Sequence, residues 1–112
     1  MGVAGVESAV ESVKEGLRRA GASRVAVSKA GACILLEAPL RSGDVLVAMV
    51  REGRARGRYV VKLTLASRLA SYGLSCTAVE YCPHGLFVIG SPEELAERVA
   101  GKALKLSRRA RQ

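Results

Sequence analysis

Side chains suited to acid–base or nucleophilic chemistry are few in this sequence. His84 is the only histidine and Asp44 the only aspartate; the other acids are glutamates, mostly on segments with helical periodicity. A lone histidine leaves no second one for a metal or a proton-transfer pair. Cys33, Cys76 and Cys82 with His84 would add up to four zinc ligands. No two of the cysteines show C-x2-C spacing, however, and Cys33 lies inside an apolar run. An odd cysteine count without framework spacing argues against a disulfide scaffold, so all three read as buried thiols. Cys76 and Cys82 fall on or beside expected strands, not at a helix N-terminus where a thiolate would be activated. Phosphate-loop, dinucleotide and zinc-protease motifs do not occur. The expectation is a chain with no catalytic residue, no metal site and no cofactor.

Binding chemistry is better supplied. Arg51, Arg54, Arg56, Arg58 and Lys62 crowd one segment, and Gly53 and Gly57 hinge it. Arg98, Lys102, Lys105, Arg108, Arg109 and Arg111 form a second cluster near the C-terminus. Together they supply most of a formal charge of +8. The planar guanidinium fork matches phosphate better than an ammonium does. Nucleic acid is therefore the expected partner class, with Arg51, Arg54, Arg56, Arg58 and Lys62 as the RNA-binding residues. A basic surface that merely solvates a heat-tolerant protein is the plainer reading.

Composition bounds the rest. Aromatic residues make up 4% of the chain, with no Trp, so the core is aliphatic and paired base-stacking aromatics are not expected. The absence of Asn, with abundant charge, suggests a thermophilic source. No basic segment followed by an apolar one opens the sequence, and the longest apolar runs are too short to span a bilayer. A cytoplasmic protein with no membrane partner is expected.

The elements that must position these residues follow from periodicity. Val6, Val10, Val13 and Leu17 form a helical stripe over residues 6–19, closed by Gly21. Residues 23–29, 32–36 and 45–50 read as strands. Val61, Leu65 and Leu69 predict a helix over residues 59–72, closed by Gly73. Residues 75–81 and 86–89 read as a hairpin turning through residues 82–85. Ser91, Pro92 and Glu94 announce the last helix as N-cap, first position and capping box. The expected architecture is one α/β (α+β) domain over residues 1–106 with a mixed five-stranded sheet in the order α-β-β-β-α-β-β-α. A basic tail at residues 107–112 would fray.

From about Val10 to Gly90, this order and several short motifs resemble the C-terminal, nuclease-fold domain of archaeal tRNA-splicing endonucleases. Residues 13–21 (VKEGLRRAG) match that family's helix ending in L-R-x-x-G. Residues 65–71 (LASRLAS) with 77–79 (TAV) match its R-x-A helix and the strand after it. The family's catalytic tyrosine, histidine and lysine are not matched: no Tyr stands near Glu37, Asp44 holds the histidine's place, and no Lys lies in residues 72–74. The resemblance also leaves the family's N-terminal domain unmatched, and a chain without that domain is expected. Both absences resemble the non-catalytic small subunit of heterotetrameric members. The resemblance implies a hetero-oligomer with a larger catalytic endonuclease subunit, and precursor tRNA as the RNA. Docking would use the loop before the last strand, with Glu80, Tyr81, Cys82, Pro83 and His84 as the partner interface.

Three functions compete at this point. One is the structural subunit of a tRNA-splicing endonuclease. The second is a stand-alone basic RNA- or DNA-binding protein. The third is an assembly factor whose charge meets an acidic protein.

Overall fold

A computed structural model of the chain describes residues 2–69 and 73–110. Helix α1 (Gly2–Arg19) is followed by strands β1 (Ala26–Lys29), β2 (Ile34–Pro39), β3 (Val45–Glu52) and β4 (Tyr59–Leu65). Two short helices, α2 (Ala66–Leu69) and α3 (Cys76–Glu80), lead to β5 (Leu86–Gly90) and helix α4 (Pro92–Ala110). The α/β class and the five strands are as expected. The sheet keeps chain order, β1-β2-β3-β4-β5, and is antiparallel throughout, so it is not mixed.

Two segments differ from their predicted form. Tyr59–Leu65 is a strand buried along its whole length, not the start of a helix. Its β-branched residues suit the centre of a sheet covered on both faces. Val61, Leu65 and Leu69 are spaced four apart, which also satisfies a helix, and that coincidence misleads. Cys76–Glu80 is a helix, not a strand: Ser75 caps it, its hydroxyl accepting from the Ala78 N–H at 3.1 Å. No hairpin joins residues 75–81 to β5; residues 82–85 connect α3 to β5 instead. The predicted end of the residue 59–72 helix lies outside the described residues. At the C-terminus, α4 runs to Ala110, so Ser107–Ala110 continue the helix and are not a separate tail.

Alternation along the strands divides the core. Leu36, Ala48, Val61, Leu63 and Val88 face α1 and α4, meeting Val13, Leu17, Leu95, Val99 and Leu106. Each fully buried aliphatic side chain of this kind stabilises the fold by about 1.5–3 kcal/mol. On the other face Leu35, Val47 and Met49 pack under α2 and α3 through Leu69, Val79 and Cys82. Helices α1 and α4 run in the same direction. Glu7 and Glu11 border Pro92 and Glu93, while Ala20 and Gly21 border Ser107. They cross closely at Gly16, where a Cβ would lie 2.7 Å from the Ala96 carbonyl oxygen and 2.8 Å from the Val99 Cβ.

A disulfide joins Cys33 to Cys76, with Cα atoms 5.9 Å apart. This corrects the expectation of three free thiols: only Cys82 is a free cysteine, and it is buried. The bond pins the start of α3 to the entry of β2. Asp44 anchors α2, accepting hydrogen bonds from the Val45 N–H at 2.8 Å and from the Ser67 N–H and hydroxyl. No described helix is long and apolar enough to cross a membrane.

Candidate nucleic-acid interface

The strands β3 and β4 present the first basic cluster on the loop between them. The Gly53 N–H donates to the Arg58 carbonyl at 2.8 Å and closes the loop. Gly57 takes a φ of +76°, a value that disfavours any side chain. The five predicted RNA-binding residues do not act as one set. Arg54 and Arg56 are exposed at the loop tip, and neither has an ion-pair partner among the described residues. Arg58 pairs with Glu94 at 3.4 Å. Arg51 makes a forked pair with Glu80, Nε to Oε1 at 2.8 Å and Nη2 to Oε2 at 3.1 Å. Its positive charge is spent inside the molecule.

Lys62 departs furthest from expectation. It is 2% exposed and sits on β4, not on the surface of a helix. Its ammonium donates to the carbonyls of Glu80 and Cys82, each at 2.7 Å, and lies 4.5 Å from the centre of the Phe87 ring. Those carbonyls belong to the C-terminal end of α3, where a cation complements the helix dipole. Burial pushes the lysine below its usual range, and the nearby Glu80 carboxylate opposes that. Gly85 packs directly on the Lys62 stem, with no room for a Cβ. Lys62 is therefore a fastener between β4 and α3, unavailable to phosphate.

The predicted partner interface also divides. Glu80 is held by Arg51, and Cys82 is buried with its Sγ 3.4 Å from the Thr64 hydroxyl. Tyr81, 75% exposed, projects to solvent, and Pro83 and His84 are exposed beside it. On the neighbouring edge strand Phe87 and Ile89 are 49% and 52% exposed. Among the described residues no group of His, Cys, Asp and Glu could hold a metal ion.

A second set of cations lies at the joint C-terminal end of α1 and α4. Arg41 and Ser107 line a hollow with Ala20 and Gly21, and Arg18 stands one turn back on α1. Neither Arg18 nor Arg41 has an ion-pair partner among the described residues. The β3–β4 loop lies at the other end, since Arg58 reaches the first turn of α4. Helix α4 is about 28 Å long at 1.5 Å per residue. Of the second sequence cluster, Arg98 shares Glu94 with Arg58 near the loop, Arg108 and Arg109 lie most of the helix length away, and Arg111 lies outside the described residues. No long run of cations marks Arg18 and Arg41 in the sequence; only folding brings them to one end. Searches against family models, curated proteins and solved structures return no match to this chain.

Proposed function

We propose that this chain binds nucleic acid through the phosphate backbone, with little regard to base sequence. The observation that carries the reading is the pair Arg54 and Arg56: two guanidinium groups on a hinged loop, exposed and, among the described residues, without an acid to neutralise them. The loop bears no aromatic side chain on which a base could stack, so phosphate contacts dominate. Arg18 and Arg41 supply a second contact at the far end. Replacing Arg54 and Arg56 by Ala is expected to weaken binding to RNA of every sequence alike. Unchanged affinity would remove the loop from the interface.

A second reading keeps the chain as the structural subunit of a tRNA-splicing endonuclease, with precursor tRNA bound beside a larger catalytic subunit. One observation favours it: Tyr81, Phe87 and Ile89 lie exposed at and beside the segment to which the resemblance assigns docking. One observation weighs against it: residues 77–79, matched to the family's next strand, lie in helix α3. Co-purification with a catalytic subunit that cleaves intron-containing tRNA would establish this reading, and a chain that ignores such a subunit would end it.

A further inference from the structure

Helix α4 shows a pattern that nucleic-acid binding does not use. One ridge of its solvent face, stepping four residues at a time, reads Glu93, Glu97, Gly101, Lys105, Arg109, and every member is exposed. Charge reverses sign across Gly101: what lies four or eight residues before it is acidic, and what lies four or eight after it is basic. None of these four charged side chains has an ion-pair partner among the described residues.

Gly101 itself has no use inside the chain. It lies mid-helix without a positive φ, and a Cβ built there meets nothing within 4 Å. A glycine at such a place weakens a helix relative to alanine. Gly16 shows what a helical glycine does when its neighbour is present: it lets α1 approach the backbone of α4.

We propose that the chain pairs with a second copy of itself, α4 against α4 and antiparallel, about a two-fold axis through Gly101. Antiparallel pairing about that residue sets Glu97 opposite the partner's Lys105. The two-fold axis repeats the pair, as an isologous interface requires. The same register places Leu104, 39% exposed, beside the stem of the partner's Arg98. Within its own chain Arg98 is already fixed, donating to the Ile89 carbonyl at 2.6 Å and to Glu94 at 2.9 Å. Absence of a side chain at Gly101 lets the two axes come close enough for these contacts. The pairing also carries the β3–β4 loop toward the helix ends of the second copy. Two cation clusters that one chain holds apart then become neighbours.

The test is sedimentation of the full chain, free of nucleic acid, at low and at high salt. A dimer at low salt that dissociates at high salt is expected, because the pairs are exposed and screened. Glu97→Lys and Lys105→Glu should each weaken it at least about tenfold, which is 1.4 kcal/mol. The double variant should restore it, and the two single variants mixed together should pair with each other. Gly101→Leu should weaken the dimer at low salt while leaving the melting temperature at high salt, where the chain is monomeric, unchanged or raised. A chain monomeric at low salt, or a dimer that survives both single reversals, would overturn the proposal.

Discussion

Replacing Lys62 by Met keeps the aliphatic stem in place and removes only the ammonium. Two charge-assisted hydrogen bonds go with it, to the Glu80 and Cys82 carbonyls at 2.7 Å each. Bonds of this kind are worth about 1.5–3 kcal/mol apiece, and both carbonyls lose this donor. The variant no longer holds a buried charge, which returns part of that loss. The net expectation is a destabilisation of about 2–3 kcal/mol. For a chain of this size that lowers the melting temperature by roughly 8–12 °C. Thermal and urea unfolding followed by circular dichroism would measure it. Binding to RNA, compared at a temperature where both chains are folded, should be unaffected. A Lys62→Met variant as stable as the wild type would refute the fastening role, and one that folds normally but loses RNA would return Lys62 to the interface.

Other perturbations test the remaining supports. Replacing Cys33 and Cys76 by Ala frees a closure of 43 residues, and loop entropy puts the loss at about 4 kcal/mol, read as a lower urea midpoint; an unchanged midpoint would contradict it. A double-mutant cycle on Arg51 and Glu80 should give a coupling of about 1 kcal/mol, since the pair is forked but partly exposed. Acid should loosen two anchors. Burial raises the Asp44 carboxyl, but hydrogen bonds from Ser67 and Val45 outweigh it and hold the group below its ordinary 3.8. The Ser91 N–H and hydroxyl hold Glu94 below its ordinary 4.5. Both contribute stability above those ordinary values and lose it as pH falls through the lowered folded ones. Glu94→Gln should therefore flatten the acid limb of the stability curve.

The sequence made much of the fold legible where local signals agreed with tertiary ones. Pro92 opens α4 as predicted, and Glu94 reaches back to the Ser91 N–H at 2.9 Å to make the expected capping bond. The strands at Val45–Glu52 and Leu86–Gly90 were readable from β-branched and apolar runs. Tyr59–Leu65 was misread although a signal existed: Lys62 and Thr64 alternate with Val61, Leu63 and Leu65, which is period two. Lys62 looked like a surface cation because its anchors, the Glu80 and Cys82 carbonyls, lie 18 and 20 residues away. The Cys33–Cys76 bond is equally a product of tertiary structure, since connectivity does not follow from spacing. Counting cations identified the partner class to consider, but only folding reveals which of them are already neutralised.

The central claim is tested most directly by titrating the chain into a labelled, mixed-sequence RNA duplex over a range of salt concentrations. Binding by phosphate contacts predicts an affinity that falls linearly with salt on logarithmic axes. The slope should shrink by about 1 for each of Arg54 and Arg56 replaced by Ala. No binding at low salt, or a slope indifferent to both arginines, would contradict it.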